Sequence, residues 1–246
     1  MNWFNSSYYH ILYKNRDHNE AEHFINNLIT KLNLKKNSKI LDLACGSGRH
    51  SIYLNKKGMN VKGYDNSENN IKKAKKFENS RLSFQLKEMS EKYDDNFDYI
   101  FNLFTSFGYN SKKHNYKTLK SIEESLNGDG ILVIDFLNIN KVESELINQE
   151  IKTIDNITFK IKREINNGFI IKNINVIDGE KNYNFKETVM SLNLNDFKGY
   201  FNNFKLKIIS TYGDYNLNPF NKKSERLIMV IKKNPSLKKT GIRGGQ

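Results

Sequence analysis

The amino-acid sequence predicts an α/β fold: a Rossmann-like, seven-stranded, mostly parallel sheet with helices on both faces, plus a small antiparallel β insertion after strand five. Three observations predict it. Short apolar runs alternate with helical patterns over residues 20–137, which is typical of βαβ units and a parallel sheet. Residues 151–192 break this rhythm with consecutive β runs. Two apolar runs near the C-terminus then complete the sheet.

The first half of this pattern leads into a glycine turn. Residues 20–34 carry apolar side chains at helical spacing. Residues 39–44 are a short apolar run before the turn CGSG, which indicates a buried strand. Residues 48–57 have helical character and stop at a glycine. Residues 60–64 form a second strand that ends at Asp65.

The alternation continues to the fifth strand. Residues 67–77 begin with a serine, a preferred N-cap, and predict a helix. Residues 82–86 form the third strand, and residues 97–104 form a fourth that is apolar on both faces. Residues 114–126 predict a helix closed by Asn-Gly, and residues 131–137 are the fifth strand.

The insertion reads as an antiparallel meander. Three β runs are separated by turn-like breaks, at residues 157–165, 169–177 and 184–192. It follows strand five, at the carboxyl edge of the sheet, where loops often carry function. We expect it to cover a pocket as a lid or to form a dimer contact.

After the insertion the core resumes. Residues 195–204 predict a helix, and residues 206–211 and 226–232 predict the last two strands. The expected organisation has five parts: an N-terminal lid segment (1–19), a core (20–150), the β insertion (151–192), the C-terminal helix and strands of the core (193–233) and a disordered tail (234–246).

Composition narrows the class of protein. The 246 residues suit one α/β domain with a small insertion, and a single cysteine, Cys45, excludes an internal disulfide. There is no apolar run of membrane-spanning length and no signal-peptide pattern at the N-terminus. These features predict a cytoplasmic protein without a membrane partner.

The net charge of +13 raises the alternative of a nucleic-acid partner. Only six of the forty basic residues are arginine, the residue best suited to bidentate phosphate and base contacts. The lysines are scattered, and asparagine and isoleucine are also abundant, which indicates a coding bias. Nucleic-acid binding therefore stays open as the less favoured reading.

The glycine turn predicts a nucleoside site. It follows a strand that contains Asp42, and a second strand ends in Asp65 about 20 residues further on. A carboxylate in that position can accept both ribose hydroxyls. The run Gly46-Ser47-Gly48-Arg49-His50-Ser51 lacks the third glycine of a dinucleotide fingerprint, and the lysine of a P-loop is absent. A nucleoside without phosphates fits this turn better.

The segment KILDLACGSGRHSIYLNKKGMNVKGYDNS resembles motifs I and II of the class I S-adenosylmethionine (SAM)-dependent methyltransferases, particularly the bacterial group that includes small-molecule enzymes. The segments LSFQLKEMSE, FDYIFNLFTSFGYN and LNGDGILVIDFLN are similar to the following motifs, and the resemblance covers residues 8–233. Two positions depart from it: Glu88 stands where aspartate is commonest, and Asp129 replaces a glycine.

The resemblance implies SAM as cofactor, S-adenosylhomocysteine as product, and no metal. Glycines of the turn would line the methionine part, Asp65 the ribose, and Glu88 with Met89 the adenine. Tyrosines of the N-terminal segment would close the site, or would pack as core aromatics. The implied cofactor-binding residues are Tyr9, Tyr13, Arg16, Ala44, Gly46, Gly48, Asp65, Asn66, Glu88, Met89 and Asn102.

The methyl acceptor is less defined. Methyl transfer mainly needs alignment of nucleophile, methyl and sulfur, so no catalytic residue is mandatory; His10 is a candidate base. The segment after strand four lacks the prolines of enzymes that methylate the amino groups of nucleobases or of protein glutamine. Candidate acceptor contacts are Thr105, Ser106, Tyr109, Asn138, Tyr183, Tyr215 and Arg226.

Three functions remain open. The favoured one is a methyltransferase for a small-molecule acceptor, acting as a monomer or homodimer. The second is a tRNA or rRNA methyltransferase, whose binding would weaken steeply with salt. The third is a SAM-binding protein without transferase activity.

Overall fold

A computed structural model describes residues 3–14, 18–234 and 236. Its strands are β1 Lys39–Leu43, β2 Asn60–Asp65, β3 Leu82–Leu86, β4 Phe97–Asn102, β5 Leu126–Leu137, β6 Gln149–Ile154, β7 Ile157–Asn166, β8 Phe169–Asp178, β9 Lys181–Met190, β10 Leu206–Tyr212 and β11 Arg226–Lys233. Its α-helices are α1 Ser7–Leu12, α2 His18–Leu32, α3 Arg49–Lys56, α4 Glu68–Ala74, α5 Lys112–Ser125, α6 Ile139–Ser144 and α7 Leu194–Phe201.

The central sheet has seven strands in the order β10-β11-β5-β4-β1-β2-β3. The five strands from β3 to β5 run parallel, and β11 lies antiparallel between β5 and β10. This arrangement confirms the predicted mostly parallel sheet. Strands buried on both faces read as continuous apolar runs, as in ILVIDF of β5, and that is why the sequence pattern found them.

Helices cover both faces of this sheet. On one face, Phe24 and Leu28 of α2 and Leu54 of α3 join a buried apolar cluster with the sheet. On the other, Leu119 of α5 and Phe197 of α7 belong to a second cluster. Side-chain caps fix where several helices begin; the capping residues are Ser67, Ser111 and Asn193. No helix among the described residues is both long and apolar enough to cross a membrane.

Several element boundaries differ from the predictions. Strand β5 begins at Leu126 rather than 131, because Leu126 pairs with Phe97 before a register shift and the Asn-Gly expected to close the helix lies within the strand. Helix α6 was not predicted; its six residues are too few to show a helical period. Helix α4 ends at Ala74 in a 3-10 turn, and α7 ends at Phe201.

The insertion forms a separate four-stranded antiparallel sheet, here called the inserted sheet (β6–β9), in the order β6-β7-β8-β9. The sequence predicted three strands from residue 151, but the sheet begins with β6 at Gln149. Strand β6 was missed because its side chains are mostly exposed and show no apolar alternation. Asp155 and Asn156, both at positive φ, make the turn that joins it to β7.

The N-terminal segment, residues 3–14, docks on the inserted sheet. Trp3 and Tyr8 share an apolar cluster with Phe159, Val176 and Phe185 of that sheet. The Tyr8 hydroxyl donates a hydrogen bond to Asp178 at 2.9 Å. The two segments therefore form one packed unit over the carboxyl end of the central sheet. The tail from residue 235 onward, apart from Ser236, and Arg16 lie outside the described residues.

Glycine 63, in the middle of β2, is expected to tolerate no side chain. A Cβ there would lie 2.5 Å from the Phe84 ring and 2.8 Å from Cys45 Sγ. Gly63→Ala should lower the free energy of unfolding by about 1–3 kcal/mol, measured by chemical denaturation. Gly199→Ala is the control: it lies within α7 with nothing within 4 Å of the new Cβ, so it should stabilise by roughly 0.5–1 kcal/mol. Equal effects of the two changes would contradict the packing seen around Phe84.

Candidate active site

A cavity of about 640 Å³ opens at the carboxyl ends of β1, β2 and β4. The residues after β1, the end of β2 and the turn after β4 form its floor. The N-terminal segment and strands β8 and β9 of the inserted sheet form its upper wall. Sites in open α/β sheets form at this edge, and here the inserted sheet encloses it further.

The glycine turn lies open to the cavity. Gly46 has φ +56° and no heavy atom within 4 Å of where a Cβ would stand, so its backbone can be approached closely. Gly48, at φ +87°, precedes α3, and a Cβ there would stand 2.7 Å from the Phe84 ring. Gly48 does not line the cavity. Its small size is required by packing and by the turn, so the predicted contact with a methionine part is not supported for Gly48.

Asp65, at the end of β2, holds the turn in shape. Its Oδ2 accepts a hydrogen bond from the Gly46 amide at 2.9 Å, and its Oδ1 accepts one from the Ser67 amide at 2.9 Å. Burial raises the pKa of this carboxyl, while the two amide donors act in the opposite direction. Asp42, wholly buried under the turn, accepts from the Ser51 hydroxyl at 2.6 Å, and burial raises its pKa to about 6.

Beyond Asp65, three predicted residues meet at the same side of the cavity. Asn66 Nδ2 donates to Glu88 Oε1 at 2.9 Å, and Met89 lines the cavity beside them. Asn102 lies below: its Nδ2 donates to the Leu43 carbonyl at 3.0 Å and contacts Met89 Sδ at 3.4 Å. Asn102 is buried, does not line the cavity, and contacts Met89 and β1.

The turn after β4 forms the wall opposite the glycine turn. Phe104 and Thr105 are both at positive φ, +60° and +53°, a conformation that is costly for residues other than glycine. Asp135 of β5 holds them: its carboxylate accepts from the Phe104 amide at 2.8 Å, and its carbonyl accepts from the Thr105 amide at 2.9 Å. Arg226 Nε donates to Asp135 at 2.7 Å, and its NH2 donates to Thr105 Oγ1 at 2.8 Å.

The upper wall carries a second polar cluster, here called the Lys172 cluster (Tyr13, Tyr109, Lys172 and Glu187). Glu187 of β9 accepts hydrogen bonds from the Tyr109 hydroxyl at 2.8 Å and the Tyr13 hydroxyl at 3.4 Å. Lys172, its direct partner on β8, donates to the Tyr13 hydroxyl and lies 3.8 Å from Glu187. All four side chains line the cavity.

A family model described as a methyltransferase domain matches residues 34–188, which is more than half of the chain. The chain belongs to the class I SAM-dependent methyltransferases. This membership confirms the predicted family and SAM as the cofactor of that family.

Individual curated relatives match a shorter part of the chain than the family model does. The putative methyltransferase YqeM of Bacillus subtilis (strain 168) is 36% identical over 107 residues, which is 42% of this chain and 43% of the relative. The matched stretch thus spans less than half of that relative's length.

Solved structures share the fold over most of the chain. A SAM-dependent methyltransferase from Clostridium acetobutylicum ATCC 824 gives a TM-score of 0.78 at 21% identity, covering 92% of this chain and 96% of that one. The sugar N-methyltransferase KedS8 from Streptoalloteichus sp ATCC 53650 gives 0.71 at 13% identity, covering 92% of both. At these identities the likeness establishes the fold of the methyltransferase.

Most of the sequence-predicted residues of this methyltransferase meet at the cavity. Those that line it are Tyr9, His10, Tyr13, Ala44, Gly46, Asp65, Asn66, Glu88, Met89, Thr105, Ser106, Tyr109 and Arg226. Burial lowers the pKa of His10, and the nearby Lys73 acts in the same direction. Arg16 falls outside the described residues.

Three predicted acceptor contacts are corrected by the structure. Asn138 lies away from the cavity lining, because its amide donates to the carbonyls of the loop before β11, including Ser224 at 2.7 Å. Tyr183 packs on Tyr8 in the cluster beneath the N-terminal segment. Tyr215 stacks on Phe24, and its hydroxyl donates to Asp135 at 3.1 Å. Each is structural rather than part of the cavity wall.

Sequence reasoning missed Lys172 and Glu187 of the Lys172 cluster, and Asp135 with Phe104. A period-2 pattern shows which face of a strand is buried. It does not show that a lysine on the polar face, such as Lys172, lines a cavity that a distant segment closes. Asp135 did carry a signal: it is a lone acid inside the apolar run ILVIDFL, and a buried charge needs a partner.

Proposed function

We propose that this methyltransferase transfers a methyl group from SAM to a small-molecule acceptor held under the inserted sheet. The carrying observation is that one cavity is continuous from Gly46 and Asp65 to the Lys172 cluster. A volume of about 640 Å³ is within the usual range of small-molecule sites. The upper wall encloses the cavity and so leaves less room for a folded RNA than an open edge of the sheet would.

The residues at the floor fit SAM on their own chemistry. The open backbone at Gly46 suits the methionine part and the buried carboxylate of Asp65 suits a ribose. The cavity beside Asn66, Glu88 and Met89 suits an adenine. When bound, SAM supplies a methyl group activated by its sulfonium. What the chain must add is alignment of the acceptor and exclusion of water.

The upper wall is suited to both tasks. Apolar side chains from three segments face the cavity, including Phe4, Val142 and Ile170. The N-terminal segment and the inserted sheet are joined by packing and by the ion pair of Lys14 with Asp155 at 2.8 Å, and we infer that together they act as the lid. A dimer contact through the inserted sheet is the alternative role for that sheet.

The acceptor class has support from one structural neighbour. KedS8 is named a sugar N-methyltransferase, which favours a small polar acceptor with a nitrogen nucleophile. The net charge of +13 favours RNA instead, and the test below separates the two.

Titration calorimetry with SAM, S-adenosylhomocysteine and NAD tests the cofactor, followed by turnover of labelled SAM with small metabolites and with total RNA. We expect micromolar binding of the two SAM species, no binding of NAD, and methylation of a small molecule that is insensitive to salt. Methylation of RNA alone would replace the small-molecule acceptor. SAM binding without turnover in a cell extract would indicate a SAM-binding protein without transferase activity.

A further inference from the structure

The Lys172 cluster joins three parts of the chain at the acceptor side of the cavity. Tyr13 comes from the N-terminal segment, Tyr109 from the loop after β4, and Lys172 with Glu187 from adjacent strands of the inserted sheet. The Tyr13 ring also meets the Phe104 ring, with centroids 6.2 Å apart. The cluster therefore borders the turn after β4, where the acceptor candidates Thr105 and Ser106 lie.

Lys172 and Glu187 are almost wholly enclosed, with side-chain exposures of 14% and 13%. The Nζ atom of Lys172 lies over the Tyr13 ring, 4.7 Å from its centroid. Glu187 already accepts from two tyrosine hydroxyls, and the 3.8 Å between the two charged groups is long for a hydrogen-bonded ion pair. Lys172 is thus held in place, but its amino group is only weakly paired with the Glu187 carboxylate.

The charged groups around Lys172 come from every neighbouring strand. Glu187 faces it from β9, and Arg163 faces it from β7 as its direct cross-strand partner. From β6, Glu150 and Lys152 add one negative and one positive charge, and Glu150 is already paired with Arg163 at 2.6 Å. Desolvation lowers the pKa of Lys172, Glu187 raises it, and Arg163 and Lys152 lower it further, so that the net shift is downward.

Resting on the proposed function, we propose that Lys172 is the proton acceptor for an amine substrate, and that Tyr13 and Glu187 are its positioning residues. An ammonium group and a lysine are acids of similar strength, so the proton can pass between them readily. An aliphatic hydroxyl is a far weaker acid and would not give its proton to a lysine. The cluster therefore specifies a small-molecule amine rather than an alcohol.

The substrate ammonium gives one proton to neutral Lys172 Nζ, which becomes an ammonium beside Glu187. The freed nitrogen lone pair forms the bond to the methyl carbon as the carbon–sulfur bond breaks, and that electron pair stays on sulfur. The product leaves as an N-methylated ammonium, and Lys172 returns its proton to water.

Competitive acetylation of the full chain with acetic anhydride, from about pH 6 to about pH 11 and read per lysine by mass spectrometry, tests the lysine without any acceptor. We expect Lys172 to reach half-maximal labelling at lower pH than the exposed lysines. Glu187→Gln should move that midpoint lower still, because it removes the negative charge that favours the ammonium. Glu164→Gln, an exposed carboxylate on β7, is the matched control and should leave the midpoint unchanged. A Lys172 midpoint that coincides with the exposed lysines would overturn the proposal.

Turnover provides the second arm, with a panel of small amines and their hydroxyl analogues as probes. In Lys172→Arg the side chain is always protonated and cannot accept a proton at neutral pH, so kcat should fall roughly a hundredfold or more while SAM affinity stays the same. In Glu187→Gln the acidic limb of the pH–rate profile should move to lower pH, which a purely structural ion pair would not cause. Full turnover by Lys172→Arg, or methylation of the hydroxyl analogues instead of the amines, would refute the proposal. Loss of SAM binding by the unaltered protein would instead contradict the proposed function.

Discussion

Replacing Asp65 by alanine is expected to weaken SAM binding by about a hundredfold or more. The change removes the carboxylate at the end of β2 together with its hydrogen bonds to the Gly46 and Ser67 amides. Hydrogen bonds to a charged group contribute about 1.5–3 kcal/mol each, and about 1.4 kcal/mol corresponds to a tenfold change in Kd. The ligand loses an acceptor and the turn that faces it loses its anchor. Titration calorimetry measures the effect directly.

Asp129→Ala is the matched control, because this carboxylate is 93% exposed and lies at the start of β5. It should bind SAM like the unaltered protein. Asp65→Asn separates charge from shape: it keeps one accepting oxygen but turns a donor toward an amide, so it should also weaken binding. Unchanged SAM affinity in both Asp65 variants would remove Asp65 from the cofactor site.

The parts of this protein that the sequence predicted are those governed by local rules. The apolar runs of β1, β4 and β5 and the glycine turn each carry their own pattern, so the central sheet and its nucleoside edge were predictable. Asp65 was predicted because it stands at the end of the second strand, and Asn66 and Glu88 were predicted because they match positions of the family's motifs.

The parts that were missed depend on contacts between distant segments. In the sequence, Lys172 has the pattern of a surface residue of a strand. Its enclosure depends on a contact with Tyr13 of the N-terminal segment, 159 residues away. Phe104 and Thr105 have no sequence feature that predicts positive φ, since that conformation is imposed by Asp135 from the next strand. Tyr215 was one of the candidate acceptor contacts, whereas here its hydroxyl donates to Asp135.

Replacing Asp135 by asparagine is expected to lower the free energy of unfolding by about 3–5 kcal/mol, because it leaves Arg226 as an uncompensated buried charge. The Asp135 side chain is 0% exposed and that of Arg226 is 14% exposed. Burial opposes the charge on Arg226, but Asp135 more than offsets this and holds the pKa of the guanidinium above its ordinary value. The arginine cannot remove its buried charge by losing a proton. The amide nitrogen of the asparagine would also face one of the three groups that donate to Asp135.

Two further substitutions, Arg226→Met and Asp129→Asn, serve as comparisons for the loss of stability expected in Asp135→Asn. Arg226→Met should cost less than Asp135→Asn, because Asp135 keeps the Phe104 amide and the Tyr215 hydroxyl as donors. Asp129→Asn breaks only an exposed pair with Lys232 and should change stability by less than about 1 kcal/mol. Urea denaturation of the unaltered protein and the three variants at neutral pH measures all of these differences. If Asp135→Asn were as mild as Asp129→Asn, the buried pair would not be what holds the turn after β4.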